Sequence, residues 1–387
     1  MPLRHEVGLV DSACLPVYDL GVDHPFARER QFPLRDLITT MELASPGEFL
    51  RPPSASRADL ETAHAPAYID LVESTSTPDP DADALADAFR FGLGTGDNPI
   101  APGQHEAASA VAGATAYCVE KVVRGELRRT FNPTGGLHHA GHSRASGFCI
   151  YNDLVVGIRR ALAMDMKKVL YVDFDVHHGD GVEFAFESEE AVCTLSFHQS
   201  PDTLFPGTGR VTDIGRGAGE GTVVNMPLAP YTDDASWSHC ISTVLGAVAR
   251  SFAPDLILSQ HGCDPHYEDP LAQLQVTTGP MGEAARLCRE LAEELCEGRW
   301  VATGGGGYQP YRVIPRAWSM VWLELSEREI PERVDPAWIE AWQHASASPL
   351  PVSFRDPALD TDAAGAAAAR QNEHQLAMLA DLHGLKI

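Results

Sequence analysis

Short apolar runs recur along the chain at the spacing of buried strands, separated by longer stretches with helical periodicity. The clearest runs are Val169-Leu-Tyr-Val172, residues 191–197, Val223-Val-Asn-Met226, Leu256-Ile-Leu-Ser-Gln260 and Trp300-Val-Ala-Thr303. They are short, β-branched or aromatic, and bounded by turn residues, which reads as buried parallel strands. Two weaker strands are expected at 6–10 and 129–132. Helices are predicted around 34–43, 56–61, from His64 onward, and over 104–123, 152–163, 234–251, 282–297 and 312–325. The Ala-rich tail after residue 360 also reads as helix. Residues 74–83 and 92–99 are polar or Gly-rich and read as surface loops. This alternation of strand and helix predicts an α/β fold, doubly wound or related, around a parallel sheet. No internal repeat is visible. Residues 1–345 are expected to form one domain, and 346–387 a helical C-terminal extension packed on it.

The polar residues gather where the apolar runs stop. After Val169-Leu-Tyr-Val172 come Asp173, Asp175 and His177, alternating with Phe174 and Val176, then His178, Gly179, Asp180 and Gly181. An extended backbone would place Asp173, Asp175 and His177 on one face. A single Asp at a strand end is as often a cap or loop residue. Two carboxylates and two histidines in so short a span are different, because burying ionised carboxylates costs several kcal/mol each without a counter-charge. A divalent cation or a catalytic role is the expected compensation. Similar clusters follow other strands: His138-His139, His261 to His266 with Asp264, and Gly304-Gly-Gly-Gly-Tyr308. In open α/β sheets ligands bind beyond the carboxyl ends of the strands, so one edge would collect all four. Asp175, His177 and Asp264 then make an open metal site of ordinary zinc ligands. His138 and His139, tuned by Asp173 and Asp180, suit proton transfer. Gly304 to Gly307 lacks the Lys-Ser/Thr of a phosphate-binding loop. Its glycines are expected to let the backbone approach a ligand and deliver Tyr308.

Charge narrows the partners. The net charge of −25 argues against nucleic acid, whose phosphates need clustered Lys and Arg, and against an anionic membrane surface. A cationic substrate such as a lysine tail would suit it, and so would solubility alone. The eight cysteines include no C-x-x-C pair and read as reduced core residues of a cytoplasmic protein. No signal-peptide core follows Met1, and no apolar stretch is long enough to span a membrane.

Several strings, in order, carry a family resemblance. Gly-Gly-Leu-His138-His139-Ala-Gly-His, Gly147-Phe148-Cys-Ile-Tyr-Asn, Tyr-Val-Asp173-Phe-Asp175-Val-His177-His178-Gly-Asp180-Gly, Phe205-Pro-Gly-Thr-Gly and Gly-Gly-Gly306-Gly-Tyr308 resemble the metal-dependent histone deacetylase superfamily. The likeness runs from about Val7 to Glu340. His261-Gly-Cys-Asp264-Pro-His-Tyr-Glu-Asp-Pro looks most like its prokaryotic acetoin-utilisation (AcuC-type) branch. The resemblance implies the arginase–deacetylase fold, a parallel sheet of about eight strands between helices. It implies Asp175, His177 and Asp264 as ligands of Zn²⁺, with Fe²⁺ as the alternative in the cell, and His138 and His139 as a catalytic pair ordered by Asp173 and Asp180. Tyr308 would donate to the substrate carbonyl. Phe148 and Phe205 would wall an acetyl-lysine tube, with Gly147, Leu271 and Gly306 also at the substrate and Asp97 at the rim. A structural K⁺ would sit on Asp173, Asp175, His177, Ser196 and Phe197. Arg30 would mark an internal acetate channel.

The implied reaction is hydrolysis of an acetyl-lysine amide in a protein or peptide, releasing acetate. Hydrolysis of acetylated small amines or polyamines is the alternative. Leu271 makes the polyamine form less suited, since acetylpolyamine readers of this family often carry an acidic residue there. His266 stands where a two-manganese ureohydrolase of the same fold would want a second Asp, which disfavours that chemistry. A non-catalytic acyl-lysine binder is a third reading, but it has no need of a proton relay. Oligomeric state, acyl-chain preference and the role of the extension are left open by the sequence.

Overall fold

A computed structural model describes residues 6–21, 23–26 and 28–387. Residues 1–5, the start of the segment expected to lack a signal-peptide core, lie outside them. Eight strands, β1 (Val7–Val10), β2 (Phe49–Leu50), β3 (Arg129–Asn132), β4 (Val169–Asp173), β5 (Val192–Gln199), β6 (Val223–Leu228), β7 (Leu256–Gln260) and β8 (Trp300–Thr303), form one sheet. Their order is β2-β1-β3-β8-β7-β4-β5-β6, and every pairing is parallel.

Alternation along the strands builds a core on each face of the sheet. In β4, Leu170 and Val172 point into one core with Ile257 of β7 and Trp300 and Ala302 of β8. Val169 and Tyr171 point into the other with Leu256, Leu258 and Val301. Helices Asp234–Phe252, Thr278–Leu295 and Ile314–Leu325 cover the first face; Pro66–Thr75, Gln104–Val123 and Asp153–Ala163 cover the second. Each buried aliphatic side chain stabilises this arrangement by roughly 1.5–3 kcal/mol.

Two expectations need correcting. The helix expected over 282–297 begins earlier, at Thr278, and ends at Leu295. The extended backbone expected through His177 stops at Asp173. Asp173 Oδ1 accepts the Asp175 amide (3.1 Å), and Asp175 Oδ1 accepts the His177 amide (3.0 Å). Such carboxylate bonds to an N–H two residues on compete with the strand ladder and fold the chain into a turn. The strand β2 and the helices Ala82–Ala88 and Pro336–Trp342 were not anticipated by the apolar pattern, being too short to show a period.

Beyond Ala345 the chain does not leave the body. Val334 donates to the carbonyl of Val352 (3.0 Å) and Phe354 to that of Glu332 (3.2 Å), and the Phe354 side chain is fully buried. Helix Ala363–His383 then lies along β6. There Asn372 accepts from the Ala229 amide (2.8 Å) and donates to Thr232 (2.8 Å) and Ser236 (2.9 Å).

Candidate active site

The four polar clusters follow β3, β8, β7 and β4, which are consecutive in the sheet. Their carboxyl ends therefore meet at one place. From β3, His138 and His139 arrive on a tight turn. Asp153 fixes that turn by accepting from the amides of Gly136 and Leu137 (3.1 and 2.7 Å), and Asn152 by donating to the carbonyls of His138 and Ala140 (3.1 and 3.0 Å). From β4 come Asp173, Asp175 and His177; from β7, Asp264; from β8, the glycine run and Tyr308.

Asp175, His177 and Asp264 are buried, and one ligand atom from each lies within 4.8 Å of the others. His177 Nδ1 stands 3.1 Å from Asp175 Oδ1 and 3.1 Å from Asp264 Oδ2. The far oxygens are held from behind. Asp175 Oδ2 accepts from Gln260 Nε2 (2.6 Å) and the Gly306 amide (2.7 Å), and Asp264 Oδ1 from the Val176 amide (2.9 Å). Burial opposes charge on Asp175, yet His138 and His177 hold it well below the usual carboxylate range. Burial and the Asp175 charge push Asp264 up to about 7. Burial also opposes charge on His177, but the two carboxylates outweigh it and raise the ring to about 10. Two converging carboxylates and one imidazole, dry and short of positive charge, fit a divalent cation.

The histidine pair sits beside this triad. Asp173 Oδ2 faces His138 Nδ1 at 2.8 Å and also accepts from Tyr171 (2.6 Å); Asp180 Oδ1 faces His139 Nδ1 at 2.7 Å. The two Nε2 atoms are 3.0 Å apart, a contact that requires one proton between them. Against the cost of burial, Asp173 and Asp175 raise His138 to about 9. Burial and then the His138 charge lower His139 to about 4. So His138 donates and His139 accepts. Two adjacent imidazoles are thereby set to opposite roles.

A cavity of about 220 Å³ opens onto the cluster, lined by Asp97, His139, Gly147, Phe148, His177, Leu204, Phe205, Leu271 and Tyr308. The Phe205 ring lies edge-on to His139, with centroids 5.1 Å apart, and Phe148 edge-on to Tyr308 at 5.8 Å. Burial and the Asp264 charge keep the Tyr308 hydroxyl protonated.

The expected residues do not all reach this cavity. Gly306 faces the carboxylates, since its amide binds Asp175 and a Cβ there would stand 2.0 Å from Asp264 Oδ2. Arg30 lies buried behind it. One guanidinium nitrogen donates to the Gly305 carbonyl, Nη1 has no partner among the described residues, and the Phe26 and Trp318 rings flank it at 4.0 and 5.0 Å. Asp173 and Ser196 are register partners across β4 and β5, with Phe197 next in β5. His266 turns away from the triad to Asp356, 2.9 Å off.

Sequence reasoning missed Gln260, Leu204 and Asp269. Asp269 accepts the amides of Tyr308 and Leu271, both at 3.0 Å, and burial with the Asp264 charge lifts it to about 8. Gln260, a long polar residue ending a mostly apolar strand, was the one with a readable signal.

Comparison with known proteins agrees with this geometry. Residues 24–325 match the family described as the histone deacetylase domain. The chain belongs to the histone deacetylase family. A Bacillus subtilis relative named acetoin utilization protein AcuC is 41% identical over 347 residues, covering 90% of this chain and 89% of that protein. Its Staphylococcus aureus counterpart is 35% identical over 340 residues, covering 88% and 87%. Among solved structures, a histone deacetylase homologue complexed with SAHA superposes with a TM-score of 0.85 at 29% identity, covering 96% of this chain and 99% of that one. A homologue from Aquifex aeolicus gives 0.83 at 29% identity, covering 95% and 99%. The eight-stranded sheet is thus the histone deacetylase fold, and the chain is a hydrolase of a metal-dependent family, which implies an acetylated substrate and agrees with the buried Asp175, His177 and Asp264 group. Among the described residues no helix is long and apolar enough to cross a membrane.

Proposed function

We propose that the protein hydrolyses the acetyl-lysine amide of proteins or peptides. The observation that carries this reading is the cavity: it is walled by Phe148, Phe205 and Leu271, and lined at its inner end by His139, His177 and Tyr308. Apolar walls suit the lysine methylenes, and Asp97 at the lining suits the substrate backbone or a cationic flank.

Asp175, His177 and Asp264 would hold Zn²⁺, or Fe²⁺ in the cell. When bound, the ion supplies Lewis acidity that polarises the amide carbonyl and acidifies a water. His139, neutral and steered by Asp180, takes the proton of the attacking water at Nε2, which gives up its bond from His138 to do so. Tyr308 donates to the carbonyl oxygen as negative charge develops there. The His138–His139 pair returns a proton to the lysine amine as the C–N bond breaks, giving acetate and free lysine. Arg30 offers its unpartnered Nη1 to the departing acetate. The ends of β4 and β5, with Asp173, Asp175, His177, Ser196 and Phe197, would carry a structural K⁺. Residues 346–387 belong to the same unit as 1–345, and unpaired, mostly buried cysteines suit the cytoplasm.

The test is acetate release from an acetyl-lysine peptide and from acetylputrescine, side by side. The proposal expects turnover of the peptide with a kcat/KM well above that of the amine. Preference for acetylputrescine would move the chain to small-molecule chemistry, and metal loading without turnover of either would favour a binding role.

A further inference from the structure

The C-terminal segment that follows the family match places one carboxylate, Asp356, behind the site. Asp356 is nearly inaccessible to solvent, at 6% side-chain exposure, and saturated with donors. Its Oδ2 accepts from His266 Nε2 (2.9 Å), Thr278 Oγ1 (3.0 Å) and the Thr278 amide (3.2 Å); its Oδ1 accepts from Arg316 Nη1 (2.8 Å).

Both arms end on the site. His266 is two residues past Asp264. Its Nδ1 accepts the Glu268 amide (3.1 Å), which fixes the proton on Nε2 and lets His266 donate to Asp356. The His266 carbonyl accepts the Asp269 amide (2.8 Å), and Asp269 holds the Tyr308 and Leu271 amides. On the other arm, Arg316 Nε donates to the Arg312 carbonyl (2.6 Å), and Arg312 forms a two-point pair with Glu268 (2.7 and 2.5 Å). The loop from Asp264 to Leu271 and the turn after Tyr308 are thus tied to one carboxylate contributed by the extension.

We propose that Asp356 is a positioning residue for the metal centre, acting through His266 on the Asp264 loop and through Arg316 on the turn that carries Tyr308. This rests on Asp175, His177 and Asp264 being the ligands. Partners beyond the ligands that orient them are typically worth roughly ten- to a hundredfold in metal affinity or activity. Removing Asp356 leaves buried His266 Nε2 without an acceptor and takes from buried Arg316 its carboxylate partner, leaving it the carbonyls of Arg312, Ser353 and Phe354, so the loop must rearrange to satisfy His266.

The experiment measures Zn²⁺ affinity of the full chain by chelator competition, with no substrate present, for wild type, Asp356→Ala, Asp356→Asn, His266→Ala, the Asp356→Ala/His266→Ala double variant and Asn372→Ala. Asn372 is also buried in the extension, but among the described residues its side chain bonds only to the segment between β6 and helix Asp234–Phe252 and to that helix. It is therefore the control for loss of packing. The expected result is a loss of roughly tenfold or more in Asp356→Ala, a smaller loss in Asp356→Asn, a double variant not additive over its singles, and no change in Asn372→Ala. Thermal denaturation identifies the folded variants, and Asp356→Asn, which keeps size and one acceptor, decides between the outcomes if the Ala variant does not fold. Wild-type affinity in a folded Asp356 variant would overturn the proposal, as would an equal loss in Asn372→Ala. Wild type that binds Zn²⁺ without deacetylating would count against the proposed function and leave this inference standing.

Discussion

At Gly306 a single missing methyl group makes room for the acidic pair. Its amide binds Asp175, and a Cβ would stand 2.0 Å from Asp264 Oδ2 and 2.8 Å from Asp175 Oδ2, nearer than real carbons pack. Gly306→Ala is therefore expected to displace a carboxylate and cost at least roughly tenfold in Zn²⁺ affinity, checked by equilibrium competition against a chromophoric chelator. Gly147 makes the same kind of room for His139, with a Cβ position 2.3 Å from its ring and a positive φ of 49°. At this scale the chain was readable where residue type alone implies chemistry. Asp175, His177 and Asp264 were found because dry acid and imidazole call for a cation. The glycines were seen as permissive, but what each approaches is a distance, and no sequence pattern carries distances. Asp269 stood out in no reading of the sequence beyond the string from His261 to Pro270, because its partners are backbone amides 39 and 2 residues away.

Among the elements, the turn after β3 depends on a histidine from a distant loop. His64 accepts the Asn152 amide at Nε2 (2.9 Å), and its Nδ1–H donates to the Gly141 carbonyl (3.0 Å). The bond accepted at Nε2 requires the neutral ring, and burial lowers the group from 6.5 to about 4. The unfolded chain then binds a proton more readily than the folded one between about pH 6.5 and 4. Stability from His64 is complete above that window and lost as pH falls through it, on the order of 3 kcal/mol. Urea denaturation at about pH 7 and about pH 4.5 is expected to show this loss in wild type and a smaller pH difference in His64→Gln, although the variant is less stable near neutrality. Strands and long helices were legible because each apolar run alternates between the two cores, as Leu170 and Tyr171 do. The end of β4 was not, because the carboxylates of Asp173 and Asp175 take amides that an extended strand would leave to its neighbours.

For the whole molecule, parallel strands β3, β8, β7 and β4 lie side by side, so clusters scattered from His138 to Tyr308 become one site. That convergence followed from strand order and could be expected from sequence only in outline. The anchoring of Asp356 on His266 could not, because no pattern links a loop carboxylate to a histidine 90 residues earlier. The net charge of −25 acts at this scale as well. A field of that sign attracts cationic partners and is screened by salt. Raising salt from about 0.05 M to about 0.5 M is expected to lower kcat/KM severalfold for a lysine-rich acetylated peptide and little for a neutral one. Steady-state assays on the two peptides check it.

In the proposed function Asp175, His177 and Asp264 hold one catalytic metal at the floor of the cavity. The most direct test is a titration of metal-stripped protein with Zn²⁺ while acetate release from an acetyl-lysine peptide is followed. The account predicts no turnover without metal and a linear rise that breaks at one equivalent. Full turnover in the stripped protein, or a break only at two equivalents, would contradict it.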